Sequence, residues 1–312
     1  MADFNRKGTV SITCPLGIAP WLEKESKSHG FAPFQSRETG LELKASLKEC
    51  IYLNYWLRTA HRIHYLVDEK PIKNVDELYK WIHSLSWQEW IHEDGYFSVT
   101  SRVNHASVNN TQIANLTVKD AIADKMRKLK GTRPDSGSDL RQAVLFLYWD
   151  QNIARIFIDT SGESLSRRGY RSESVMAPMQ ETLAAAILMA TGWKPGKHLI
   201  NPMTGSGTII IEAALMAQNR PPAGLRNNFG FMYIPGFDRD HYLDIRSRAK
   251  EKSLSSTQAR LIASDSDKRA IHAARKNALT AGVDHQIEFE TCDFKKTTIP
   301  DGDGDGDVVI NP

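Results

Sequence analysis

Cysteine is scarce in this chain. Three residues among 312, Cys14, Cys50 and Cys292, lie far apart with no C-x-x-C pair. That spacing argues against a cysteine-built metal site and fits a reducing cytoplasm. Long apolar runs are missing as well. No stretch of about eighteen apolar residues exists, which excludes a membrane-spanning helix of the usual kind. The short apolar run within residues 1–20 is broken by Pro15, which speaks against a signal peptide. An excess of one charge is also lacking: 40 Lys and Arg face 37 Asp and Glu, and the balance of +3 is too small to name a partner. No Gly-Lys-Ser/Thr follows any glycine loop, so there is no P-loop. The ten histidines are scattered, and none is assigned to metal or catalysis.

What remains is ordinary globular composition, 41% hydrophobic and 25% charged, with enough apolar residues for a substantial core. A length of 312 residues predicts two domains or three small ones. Up to about residue 160 the elements are short and alternating. Val10 to Pro15 reads as a strand, Ile18 to His29 as a helix stopped by Gly30, and Gly40 to Leu47 as a strand running into a helix through Leu57. Arg58 to Val67 ends as a strand, Val75 to Trp90 is helical by the period of Leu78, Ile82 and Leu85, and Phe97 to Val103 alternates as a half-buried strand. Val118 to Gly131 is predicted as a basic helix with Val118, Ile122, Met126 and Leu129 on one face. Strands at Ala143 to Trp149 and Ile153 to Thr160 complete a compact α+β module.

Residues 161–180, polar, serine-rich and basic, read as a linker. From Glu181 the pattern changes to a helix, the strand K-H-L-I-N, a glycine loop and a helix from Thr208 to Gln218. A strand at Ala259 to Asp265, a helix at Lys268 to Thr280, a strand at Gln286 to Asp293 and a final D-V-V-I-N follow. This order predicts an α/β, Rossmann-like parallel sheet.

Chemistry is expected at the strand ends. The loop Thr204-Gly205-Ser206-Gly207-Thr208 follows a strand and opens a helix, where two glycines allow close backbone approach and helix N-terminal amides face a ligand. It lacks the third glycine of a dinucleotide fingerprint, since Ile210 stands there, and a tight strand-to-helix turn reads equally well from this loop alone. Asp265 at the next strand tip can accept hydrogen bonds from ribose hydroxyls, and Asp293 at the following one could read an adenine amino group. Asn311-Pro312 offers carbonyl acceptors for the hydrogens of a planar amine; taken alone it is a strand-ending turn.

Together, N-P-M-T-G-S-G-T and I-E-A-A (201–214), S-D-S-D (264–267), A-I-H-A-A-R-K-N-A (270–278), A-G-V (281–283), C-D (292–293) and N-P (311–312) resemble a known family. It is the class I S-adenosylmethionine-dependent RNA methyltransferases that carry a THUMP domain, with a likeness to bacterial enzymes that methylate N2 of guanine in 23S ribosomal RNA. T-C-P-L-G-I (13–18), L-N-Y-W-L-R-T-A-H-R-I (53–63), R-R-G-Y-R (167–171) and A-P-M-Q-E-T-L-A-A-A-I-L (177–188) match the same layout, so the resemblance covers nearly the whole chain. It implies a ferredoxin-like region at 1–60, a THUMP RNA-binding domain at 45–160, the linker at 161–180 and a partial methyltransferase domain at 181–312.

The resemblance also implies roles. Asn201 and Thr204 to Thr208 would hold the methionine part of S-adenosylmethionine, Asp265 (Asp267 being the weaker choice) the ribose, and Asp293 the adenine. Asn311 and Pro312 would begin the substrate-amine motif, which in the family continues with Pro and an aromatic residue that would stack on the target base. Asn201 stands where the family usually has Asp, and Thr204 where it often has Cys. The motif stops at Pro312, so the methyltransferase half is expected to be incomplete, with Val308 to Ile310 as an apolar edge that invites self-association. A non-catalytic RNA-binding remnant is the competing expectation, and an adenine-N6 methyltransferase a further one.

Three surface readings complete the expectations. Lys119, Lys125, Arg127, Lys128 and Lys130 of the basic helix, with Arg133 and Arg141 after it, are the expected RNA contacts. The segment 219–250 mixes arginines with Phe229, Phe231, Tyr233, Phe237 and Tyr242, which suits either a grip on single-stranded RNA or packing across the methyltransferase helices. Asp301 to Asp307 lacks the twelfth-position Glu of a calcium loop and is expected to be an acidic loop facing away from substrate. No metal and no membrane partner are expected; oligomeric state is left open.

Overall fold

The computed structural model describes residues 1–174, 178–300 and 306–311. Its first elements are β1 (Gly8–Thr13), α1 (Ala19–Ser28), β2 (Pro33–Arg37), β3 (Gly40–Ala45), α2 (Leu47–Trp56) and β4 (Arg62–Pro71). They run β2-β3-β1-β4 with every neighbour antiparallel, the split βαβ arrangement. Local chemistry fixes the ends. Ser46 and Glu49 close a reciprocal capping box on α2, and Pro20 sits in the first turn of α1.

The sheet then continues without a break. After α3 (Val75–Ser84) come β5 (Tyr96–Asn104), α4 (Thr111–Lys130), β6 (Asp135–Gly137), β7 (Ala143–Asp150) and β8 (Ile153–Asp159). β8 pairs with β4, giving one eight-stranded sheet in the order β2-β3-β1-β4-β8-β7-β5-β6. Alternate residues such as Ile12, Leu43, Ile63, Leu145 and Ile158 enter a core shared with the helices.

The second half holds α5 (Glu181–Ala190), β9 (His198–Pro202), α6 (Thr208–Ala217), α7 (Arg239–Lys252), β10 (Leu261–Asp265), α8 (Lys268–Ala281), β11 (Ile287–Thr291) and β12 (Gly306–Val308). The strands are parallel in the order β11-β10-β9-β12. Strand order therefore reverses between β9 and β12, and such a reversal opens a ligand crevice at the carboxyl ends of the strands. A separate core of Leu199, Ile210, Leu261, Ala278 and Val309 backs this sheet.

Several expectations need correction. The helix expected over 75–90 ends at Ser84. Leu85 is already extended, and Trp87 buries its ring and donates Nε1 to the Ile82 carbonyl at 2.6 Å. The basic helix begins at Thr111, capped by Asn110, two turns before the expected start. Leu129 is 48% exposed although Val118, Ile122 and Met126 are buried, so the apolar face stops a turn short of Gly131. Phe229, Phe231 and Tyr242 are buried in the core of the N-terminal sheet, with Tyr242 edge-on to Tyr55, so the 219–250 segment packs against the first half rather than across the methyltransferase-type helices. Val308 is 59% and Ile310 45% exposed. Most of the acidic run, 301–305, lies outside the described residues.

Candidate cofactor and substrate site

The carboxyl ends of β9, β10, β11 and β12 bring the sequence-flagged residues to one edge of the sheet. The loop after β9 is built from left-handed residues: Met203 at φ 58°, Gly205 at 57° and Gly207 at 82°. Gly207 is required twice over. Its φ disfavours a side chain, and a Cβ there would meet Ala274 Cβ at 3.0 Å and Cα at 3.2 Å. The loop is thus pressed against α8, with the first turn of α6 opening at Thr208.

Asp265 faces this loop. Its Oδ2 accepts from the Gly205 amide at 3.0 Å and its Oδ1 from the Asp267 amide at 3.0 Å. Asp267 is engaged elsewhere. It caps α8 and pairs with Arg269 at 2.9 Å, whose hydrogen bonds hold its carboxyl below the ordinary value. Of the two acids, Asp265 is the one bonded to the glycine loop. Asp293 is exposed and accepts from the Lys295 amide at 3.0 Å. Asn311 is exposed just beyond β12; Pro312 lies outside the described residues.

Asn201 and Thr204 are buried and serve the frame. Thr204 donates its hydroxyl to Asn201 Oδ1 at 2.7 Å, and its amide donates to the Ser264 carbonyl at 2.9 Å. Asn201 Nδ2 donates to the Val309 carbonyl at 2.7 Å. Ser206 and Thr208 both accept from Arg171, at 3.1 and 3.2 Å.

Arg171 and Asn277 are the residues that site reasoning missed. Arg171 also donates to the Met179 carbonyl at 2.8 Å and pairs with Glu181 at 2.9 Å. Asn277, fully buried on α8, donates to the Ser206 carbonyl at 3.1 Å and accepts from the amides of Ser172 and Glu173 at 2.9 and 3.0 Å. The signal was present: Asn277 is the one polar residue in the stripe Ala270, Ala273, Ala274, Ala278, Ala281. Residues 161–174 have no helix or strand of their own. Arg171 to Glu173 are tied to the loop and α8, while Ser161, Leu165 and Arg168 bond the N-terminal half. One turn along α6, Glu212 is buried beside Arg168 at 3.5 Å and accepts from Tyr170 at 3.1 Å. Burial raises its carboxyl above the ordinary value, against the pull of Arg168 and Arg58.

The basic helix is more engaged than its sequence suggests. Lys119 donates to the Gly137 carbonyl at 2.8 Å, and Arg127 lies 3.5 Å from Asp124. Lys125 is half-buried, Lys128 and Arg133 are exposed, and the Lys130 side chain lies outside the described residues. Arg141 is paired with Asp139 at 2.8 Å. Among the described residues, no group of three or more His, Cys, Asp or Glu could hold a metal ion, and no helix is long and apolar enough to cross a membrane.

Comparison with known proteins matches this layout. The RlmL ferredoxin-like domain profile covers residues 9–64, the THUMP domain profile 73–159 and the RMKL-like methyltransferase domain profile 168–312. A candidate methylase from Clostridium difficile 630 is 30% identical, with a TM-score of 0.87 over 98% of this chain and 80% of that one. The chain belongs to the THUMP-bearing RMKL-like methyltransferase family. Within that family, SMU.472, a candidate methyltransferase solved in complex with SAH, is 27% identical, with a TM-score of 0.88, and covers 98% of this chain and 80% of its own. The ribosomal RNA large subunit methyltransferase K/L of Syntrophotalea carbinolica is 33% identical over 308 residues, 96% of this chain and 43% of that protein. The chain thus spans less than half the length of the curated relatives it matches.

Proposed function

We propose that this protein is an S-adenosylmethionine-dependent RNA methyltransferase acting on guanine N2 of 23S ribosomal RNA in the cytoplasm. The observation that supports the reading is that the Gly205 loop, Asp265, Asp293 and Asn311 lie at or just beyond the carboxyl ends of the four parallel strands, with Asp265 bonded to the Gly205 amide. The SAH bound by a structural relative supports the cofactor, and the names of the curated relatives support the ribosomal substrate.

The residues fit the cofactor. Both Asp265 oxygens already accept one backbone N–H and keep lone pairs for ribose hydroxyls, and the amides opening α6 suit the carboxylate of a methionine moiety. Asn201 and Thr204 hold the loop, Ser206, Gly207 and Thr208 shape it, and Asp293 accepts from the adenine amine. When bound, S-adenosylmethionine supplies an activated methyl on sulfur. The protein's part is to orient: Asn311 and the Pro312 carbonyl accept the amine hydrogens, which aligns the nitrogen lone pair without a strong base. Lys119, Lys125, Arg127, Lys128, Lys130 and Arg133 form the phosphate-contacting side, with Arg127, Lys128 and Arg133 its exposed members.

The test is transfer of labelled methyl from S-adenosylmethionine to 23S ribosomal RNA lacking the modification, with nucleoside analysis of the product. N2-methylguanosine is the expected product. N6-methyladenosine would contradict the substrate assignment, and label incorporation equal to a no-protein blank would contradict catalysis by this chain.

A further inference from the structure

One face of the eight-stranded sheet lies against helices, and α4 is among them: Val118, Ile122 and Met126 share a core with Phe97 and Val99 of β5. On the opposite face, β5, β7 and β8 align Arg102, Tyr148 and Arg155 in one cross-strand row and Thr100, Phe146 and Phe157 in the next. A cavity of about 140 Å³ on this face is lined only by residues of strands and of the β2–β3 hairpin.

The face carries a hollow. Arg155 on β8 reaches over β4 and β1 to Glu42 on β3 at 2.5 Å, the two long side chains lying across three strand spacings, about 14 Å in all. The cavity of about 140 Å³ beside this bridge forms a trough.

Its chemistry is aromatic and cationic. His64 stacks on Phe146 with centroids 4.6 Å apart and planes 15° apart, and Arg155 lies over Phe157 at 5.2 Å. Arg155 is balanced by Glu42 and by Glu69 at 3.1 Å. Arg37 and Arg102 at the rim are exposed and, among the described residues, have no carboxylate partner. Phe146 and Tyr148 are only half-buried. Unbalanced guanidinium groups beside accessible rings complement a flexible polyanion that carries planar groups.

We propose that this trough binds unpaired RNA, with bases stacked on Tyr148 and Phe146 and phosphates on Arg37 and Arg102. The proposal rests on the reading of the chain as an RNA-acting protein and adds a contact surface on the face opposite α4. A regular duplex hides its bases and fits the trough poorly.

The experiment is fluorescence anisotropy of a labelled twelve-nucleotide single strand and of a labelled hairpin duplex, using the full chain and variants whose thermal melting is checked. Tyr148→Ala is expected to weaken single-strand binding about tenfold and Tyr148→Phe to restore it. Arg102→Ala is expected to weaken it and to lower the salt dependence by about one phosphate contact. If the wild type binds RNA and both alanine variants bind the single strand equally well, the trough assignment falls while RNA binding stands. If the wild type binds neither RNA, the underlying reading falls too. Saturable binding of a polyglutamate peptide, lost in Arg102→Ala but indifferent to Tyr148→Ala, would assign the trough to an acidic protein and overturn the proposal.

Discussion

Asn201 bridges the crevice of the parallel sheet to Val309: its Nδ2 donates to the Val309 carbonyl at 2.7 Å from the end of β9. The same side chain accepts from Thr204, so one buried amide ties the loop, β9 and the segment after β12 together. Asn201→Ala leaves a buried carbonyl and a buried hydroxyl without their partner. It is expected to lower stability by about 2 to 4 kcal/mol, read as a fall in the urea midpoint at unchanged slope. An unchanged midpoint would show that the bridge is idle.

Arg171 clamps the Gly205 loop from outside through Ser206, Thr208, the Met179 carbonyl and Glu181. A planar guanidinium can serve these directions at once, and an ammonium cannot. Arg171→Ala is expected to weaken SAH binding about tenfold by calorimetry, and Arg171→Lys to recover only part of it. Full recovery by lysine would mean that charge alone matters.

Asp159 carries a pH signature. Burial pushes its carboxyl up, but the His64 imidazole and the Arg62 guanidinium, 2.6 Å away, outweigh that and hold it below the ordinary value of 3.8. A depressed carboxyl stabilises the fold while ionised, so its contribution is complete above 3.8 and is lost as pH falls through the lower folded value. Urea midpoints measured from pH 6 down to pH 2 should fall more steeply for the wild type than for Asp159→Asn. Parallel curves would remove Asp159 from the acid response.

Thiol chemistry should distinguish the three cysteines. Cys14 and Cys50 are buried, and burial pushes the Cys14 thiol up to about 12 and the Cys50 thiol higher still, whereas Cys292 is partly exposed. Since the thiolate is the reactive form, native protein at pH 8 should react rapidly at one cysteine with a disulfide reagent, and at three after denaturation. Rapid labelling of Cys50 in the native state would contradict the packing of α2.

The legible parts of the fold were those governed by local periodicity. Strands such as Ala143 to Trp149 and the strand–loop–helix around Gly205 and Gly207 emerged within a residue or two, because alternation and glycine act locally. The short strand Pro33–Arg37 was illegible: it is mostly exposed and exists because β3 pairs with it. Asp265, Asp293 and Asn311 were nominated for the site because each stands at or just beyond the end of an expected strand. Arg171 reaches 35 residues along the sequence to Ser206 and Asn277 reaches 105 to Ser172, relations that exist only once the chain has folded. The buried aromatics at Phe229 and Phe231 misled for a similar reason: composition cannot tell a stacking surface from a docking plug.

The central claim is that the strand ends around the crevice form an S-adenosylmethionine site. Calorimetric titration of SAH into the wild-type chain and into Asp265→Ala tests it most directly. The account predicts saturable one-site binding by the wild type and at least tenfold weaker binding by the variant, with unchanged melting. Equal affinity in the two proteins, or no binding by a folded wild-type chain, would contradict it.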